Sequence, residues 1–234
     1  MIIIDFFGMP GSGKSTISHK ISALLSERGF KVEEPTYASA HVQGNVMHKL
    51  NKVCLLMKFF VLHNKRFRSI MKLASDNGYS KLSSLRQTAN IILKIQAIEK
   101  STADFLMFDE GLLQSAISLA VNKKNNPNST ADSLYDIVEI KRSDIIPIYV
   151  DQDIKTVLNR LELRATNHSR AEQIKDEDER KRLLEDISRL CKSLVSDNTI
   201  YVVSDSCKEE DVLSEIVRRS QKYNKVNGVN LNDG

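Results

Sequence analysis

Short, nearly unbroken apolar runs alternate along this chain with longer stretches in which apolar residues recur every three or four positions. The first pattern is that of strands buried on both faces, the second that of helices with one face in a core. Ile2-Ile3-Ile4-Asp5-Phe6-Phe7 opens the chain as a predicted strand, and a helix follows from Thr16 to Arg28. Lys31-Val32-Glu33-Glu34 reads as a short second strand that stops at Pro35, since proline cannot continue a ladder. From about Gly44 to Ser101 no strand pattern occurs. Helical spacing runs through Val46–Leu73 and again through Leu82–Ile98, with Asp76-Asn77-Gly78 as the break. Phe105-Leu106-Met107-Phe108 is the third strand and ends on Asp109-Glu110-Gly111. A helix to about Val121, a polar surface loop from Asn122 to Thr130 and a helix over about Ala131–Lys141 come next. Ile145 to Val150 is the fourth strand, with Pro147 arguing against a fully central place in a sheet. Helices over Asp153–Leu163 and Ala171–Val195, a fifth strand at Thr199–Val203 and an amphipathic helix over Glu209–Tyr223 complete the pattern.

Strands separated by helices predict an α/β architecture of three layers: a parallel sheet of roughly five strands, helices on both faces, and a helical insertion. The chain reads as one domain over residues 1–224, with the insertion at about 44–101 and a frayed Asn/Gly-rich tail over 225–234. In such sheets ligands sit at the carboxyl ends of the strands.

One motif falls at such an end. Gly8-Met-Pro-Gly-Ser-Gly-Lys-Ser15 matches G-x-x-x-x-G-K-[ST] between a predicted strand and a predicted helix, the context in which a phosphate-binding loop works. Gly8, Gly11 and Gly13 let the backbone wrap a triphosphate, so that the N–H groups of Gly11, Ser12, Gly13, Lys14 and Ser15 point inward with the helix N-terminus behind them. Lys14 would reach the β- and γ-phosphates, Ser15 would hold Mg²⁺, and Thr16 completes the nucleotide-binding set.

Composition narrows this only slightly. A net charge of +4 suits an anionic substrate without implying nucleic acid. Three cysteines (Cys54, Cys191, Cys207) without C-x-x-C spacing suggest neither a disulfide framework nor a zinc site, and fit a reducing cytoplasm. The N-terminus lacks the basic n-region of a signal peptide, and the apolar stretch Val53–Leu62 is too short to span a bilayer.

Other candidates lie near the same edge. Asp109, closing the third strand, is placed to meet the Mg²⁺ held by Ser15. Glu34, closing the second, is placed to accept a proton from an attacking hydroxyl, and Glu110 is the alternative for that task. Arg160 and Arg164 share one helical face, Arg170 follows a small polar loop, and a lid over about 160–172 would bring guanidinium charge onto a transferring phosphoryl group. The basic run Lys58, Lys65, Arg66, Arg68 and Lys72, interleaved with phenylalanines, reads as the wet face of an amphipathic helix rather than a nucleic-acid platform.

Phe7 to Thr16, Glu34-Pro35, Asp109-Glu-Gly111 with Ser115, and Arg160, Arg164 and Arg170 together resemble the P-loop small-molecule kinases: nucleoside monophosphate, thymidylate and deoxynucleoside kinases and their relatives. That resemblance spans most of residues 1–220 in order and implies a P-loop NTPase fold with an acceptor-binding helical region. It further implies ATP and Mg²⁺ as cofactors, with Lys14, Asp109, Glu34, Arg164 and Arg170 carrying the chemistry. Two departures matter. Glu110 stands where those families carry an arginine that grips the acceptor, and the lid lacks dense R-x-R spacing, so the acceptor stays open among nucleosides, nucleotides, sugars and other metabolites. A GTP switch does not fit, because Asn122-Lys123-Lys124-Asn125 lacks the guanine-binding Asp and Asp109-Glu-Gly is one residue short of Asp-x-x-Gly. Phe105 to Glu110 does fit the letters of an ATPase acting on nucleic acid or a protein, the alternative reading. The partners expected are a small-molecule acceptor and, optionally, a second copy of the chain, with no nucleic acid and no membrane.

Overall fold

The structure, a computed structural model, describes residues 1–36, 46–123, 125–163 and 169–227, with side chains except at 46–53 and 224–227. Strand β1 (Ile2–Gly8) leads through a loop into α1 (Lys14–Glu27) and then β2 (Val32–Glu33). Helices α2 (Val46–Leu62), α3 (Asn64–Asp76) and α4 (Lys81–Lys100) separate β2 from β3 (Phe105–Phe108). Helices α5 (Leu112–Ala120) and α6 (Pro127–Val138) lead to β4 (Ile145–Asp151). Helices α7 (Ile154–Glu162), α8 (Arg170–Gln173) and α9 (Glu177–Leu194) precede β5 (Ile200–Val203), and α10 (Glu209–Asn227) closes the described chain.

The five strands are all parallel, in the order β2-β3-β1-β4-β5. Strand β1 is buried along its whole length because both its neighbours and both helical layers cover it. Period-two alternation divides its side chains. Ile3 and Phe7 join Leu106, Phe108 and Tyr149 in a core packed under α4, α5, α6 and α9. Ile2, Ile4 and Phe6 join Met107, Ile148 and Val150 in a second core under α1 and α10. Fully burying side chains of this size contributes roughly 1.5–3 kcal/mol each, so β1 is the most firmly held element of the sheet.

Four details depart from the sequence pattern. The first helical stretch of the insertion breaks at His63, whose φ of −128° and ψ of 47° are not helical, giving α2 and α3. Part of the expected Asn122–Thr130 loop is helix, because Asn126 caps α6 by accepting from Asn128 N at 2.9 Å and Pro127 takes the first helical position. The single helix read over Ala171–Val195 is α8 and α9, separated where Asp176 caps α9 by accepting from Glu179 N at 2.7 Å. Strand β4 lies inside the sheet despite Pro147, since its pairing with β5 begins only at Ile148, so on that side Pro147 owes no ladder donor.

Strand order turns at β1: the connection after it runs to the β2–β3 side, and the one after β3 crosses to β4. The crevice beyond the carboxyl end of β1 is thus the switch point at which a ligand is expected. Among the described residues, no helix is long and apolar enough to cross a membrane.

Candidate active site

The loop from Gly8 to Lys14 fills that crevice. Its last residue before α1, Gly13, has φ 99°, and a Cβ there would lie 2.7 Å from Ser204 Oγ, so glycine is required on both counts. The N-terminus of α1 has no side-chain cap and no acidic residue in its first turn. Its leading N–H groups and the positive end of its dipole are therefore offered to an anion. Ser12 adds a hydroxyl that is buried without a hydrogen-bond partner among the described residues. Lys14, only 4% exposed, donates its ammonium to the carbonyls of Gly8 at 3.1 Å and Met9 at 2.8 Å. Gly8 N donates to Gln114 Oε1 at 3.0 Å, which ties the loop to α5. Thr16 faces solvent on the first turn of α1.

Ser15 and Asp109 meet across this mouth: Ser15 Oγ donates to Asp109 Oδ2 at 2.7 Å. The contact follows from the sheet, because Phe108 is in register with Asp5 and Asp109 is the next residue on. A hydroxyl and a carboxylate, oxygen donors only, are the ligand type that a hard cation such as Mg²⁺ takes.

Glu34, at the end of β2, faces α1, where its Oε2 lies 3.2 Å from His19 Nδ1. His19 was legible in principle, being one helical turn beyond Ser15 on the same face of α1. Glu110 is exposed. Lys94 of α4, which sequence reasoning missed, donates to Ser115 Oγ at 2.6 Å. Burial pushes its ammonium below the usual lysine range, while the carboxylates of Glu110, Asp5 and Asp109 pull the other way.

Asp5 is the second residue that the pattern concealed. It is fully buried in β1, its Oδ2 accepts from Leu113 N at 3.0 Å, and its Oδ1 has no hydrogen-bond partner among the described residues. Burial raises its carboxyl to about 6, against the opposing pull of the Leu113 N–H and the Lys94 charge. A Cβ on Gly111 would come within 2.2 Å of Asp5 Oδ1, so the Asp109-Glu110-Gly111 turn can close on β1 only with glycine at that position. One buried carboxylate thus anchors the turn that carries both Asp109 and Glu110.

The arginines divide. Arg160 on α7 reaches the loop, with Nη1 donating to Gly11 O at 3.3 Å and Nη2 to Asp205 Oδ1 at 2.8 Å. Arg164 lies outside the described residues. Arg170 is not brought to the loop. A capping box between Ser169 and Glu172 fixes the short helix α8, and the Arg170 guanidinium donates to Asn122 Oδ1 beyond the far end of α5. The phosphate loop instead touches α5 near its start, at Gln114, on the order of 10 Å away along the helix axis.

No protein-family model matches the chain, and no curated protein matches it significantly. Solved structures do. The structure of deoxyadenosine kinase from M. mycoides with bound dATP is similar at 21% identity and a TM-score of 0.50, over 95% of this chain and all of that one. The same enzyme with products dCMP and a flexible dCDP bound gives 20% identity and a TM-score of 0.49, over 98% of this chain and 100% of that one. Shikimate kinase from Acinetobacter baumannii in complex with shikimate gives 14% identity and a TM-score of 0.49, over 95% and 94% of the two chains. At such identities the likeness is one of fold: this chain shares the fold of the deoxyadenosine kinase structure with bound dATP.

Proposed function

We propose that this chain is an ATP- and Mg²⁺-dependent kinase that transfers the γ-phosphoryl group of ATP to a small-molecule acceptor. The observation that carries the reading is the 2.7 Å contact between Ser15 and Asp109 at the mouth of an uncapped helix N-terminus. A bare anion cradle with a hydroxyl–carboxylate pair beside it suits a metal-bound triphosphate. Nucleotide binding by a protein of this fold is also supported by the dATP held in the similar deoxyadenosine kinase structure.

In this reading the loop N–H groups and the Lys14 ammonium, released from the Gly8 and Met9 carbonyls, take the β- and γ-phosphates. Ser15 and Asp109 would hold Mg²⁺, which when bound would neutralise charge on the phosphate oxygens. The acceptor oxygen attacks the γ-phosphorus as the bond to the β–γ bridging oxygen breaks, and ADP leaves with that electron pair. Glu34, steadied by His19, orients the acceptor and takes its hydroxyl proton, and Glu110 is the alternative base. Arg160 brings guanidinium charge to the loop, and Arg164 and Arg170 are the further arginines of this reading that would close over the transferred group. Lys94 supplies a cation on the acceptor side, next to the carboxylate of Glu110. Positioning and charge supply most of the rate, since phosphoryl transfer needs little covalent help. The helices between β2 and β3 line the acceptor side, and a reducing cytoplasm suits three free cysteines.

A panel of nucleosides, nucleotides and sugars incubated with γ-labelled ATP tests the reading. Label is expected in an acceptor, and only with Mg²⁺ present. Release of free phosphate with every acceptor, stimulated by nucleic acid, would replace the kinase with an ATPase.

A further inference from the structure

A second cavity, of about 440 Å³, opens at the opposite end of the sheet. It lies where β1 and β4 begin, against Ile2, Ile145 and Pro147. Since β1 is seven residues long, this places it roughly 20 Å from the phosphate loop. Its volume falls in the range of roughly 300–1,000 Å³ typical of sites for small organic ligands.

Two features of its lining point to a ligand. The first is charge. Arg142, Arg218, Arg219 and Lys222 converge on the cavity from the segment before β4 and from α10, and Asp197 is the one carboxylate of the lining. Arg218 and Arg219 share Glu215, at 2.7 and 2.6 Å, and Arg142 pairs with Asp132. Lys222 has no ion-pair partner among the described residues, and it is exposed at the rim. The second is Tyr135 of α6. It lines the cavity with only 6% of its surface exposed, under the Arg142 guanidinium 5.8 Å from its ring centre. Its hydroxyl has no hydrogen-bond partner among the described residues. Facing the cavity, that hydroxyl is a donor that a bound anion can take up. The floor beside it is apolar, formed by Leu113, Ala131, Ile146 and Leu194.

We propose that this cavity binds a small organic anion: a molecule with a flat or apolar body for the floor, whose carboxylate, sulfonate or phosphate-ester group meets Lys222, Arg142 and the Tyr135 hydroxyl. The site is separate from the nucleotide cleft and does not rest on the kinase reading. A charged head of this kind draws its affinity from the unpaired Lys222 ammonium and from the Arg142 and Tyr135 donors beside it, and its body from apolar surface that is otherwise wet.

Isothermal titration of the whole chain with naphthalene-2-sulfonate tests the site, because that aryl anion can neither accept nor donate a phosphoryl group. One saturable site is expected, with the same affinity in the presence of saturating ATP and in Lys14→Ala. Lys222→Glu, a change on an exposed position that the fold tolerates, is expected to weaken binding at least tenfold. Tyr135→Phe, which keeps the ring and removes only the hydroxyl, is expected to weaken it at least threefold, with an unchanged circular dichroism spectrum. Absence of saturable binding, displacement by ATP, or unchanged affinity in either variant would overturn the proposal.

Discussion

Asp5 and Lys14 show two ways in which a single charge is held at this site. Lys14 sits where its motif placed it, and its ammonium is held by carbonyls of its own loop, so removing it leaves no buried charge without a partner. Lys14→Ala is expected to lower phosphoryl transfer about 10²–10³-fold or more while the circular dichroism spectrum stays that of the parent. Near-parental turnover would take Lys14 out of the chemistry. Asp5 is different, because its charge is buried with one oxygen unsatisfied. Its carboxyl stands at about 6 in the fold against 3.8 ordinarily, so its contribution to stability is complete below pH 3.8 and is lost as pH rises through about 6. Asp5→Asn removes that loss. Urea midpoints should converge near pH 4 and favour the variant above pH 7 by up to about 3 kcal/mol, and parallel profiles would contradict the assignment. Gly111→Ala presses a methyl against Asp5 and should cost about 1–3 kcal/mol, read as a lower melting temperature together with lost activity. In the sequence Asp5 was a lone acid among apolar letters, which a strand pattern absorbs without comment. What it touches, the turn after β3, is more than a hundred residues away and has no trace in local periodicity.

Among the elements, α6 shows why boundaries escaped the pattern. Asn126-Pro127 is a helix-start signal, yet the polar composition of Asn122–Thr130 outweighed it. Asn126→Ala should lower stability by about 1 kcal/mol, a melting shift of a few degrees for a chain of this size. An unchanged melting curve would mean that Pro127 alone sets the start. Helix α7 was found from its periodicity, and its capping residue Asp153 accepts from Thr156 N at 2.8 Å. Whether Arg160 or Arg170 served the loop was not legible, since that depends on where the segment after α7 folds back. The apolar runs gave β1, β3 and β4 because burial on both faces leaves little room for polar letters, whereas β2, polar and half-buried, was marked by its stop at Pro35.

For the whole molecule, helices alternating with buried strands were enough to predict three layers and a parallel sheet, with the loop motif at the carboxyl end of its first strand. The order of the strands was not, because each crossover can pass to either side, and nothing in a strand names its neighbour. The cavity at the opposite edge was equally hidden: its cations come from segments that meet only after β4 and α10 are in place. A ligand bound at 100 times its dissociation constant stabilises the fold by about 2.7 kcal/mol. ATP with Mg²⁺ should therefore raise the melting temperature by several degrees in the parent and far less in Lys14→Ala. Equal shifts in both would place the nucleotide elsewhere.

The register between β1 and β3 works as a gauge. It pairs Asp5 with Phe108 and so sets the span between the loop that follows one strand and the acid that follows the other. A slip of one residue would carry Asp109 about 3.3 Å along the sheet, more than the whole length of its contact with Ser15. Ser15 and Asp109 are thus calibrated against each other by the innermost strand of the molecule. In the proposed kinase, that alignment is inherited with the sheet itself, whichever acceptor the helices between β2 and β3 receive.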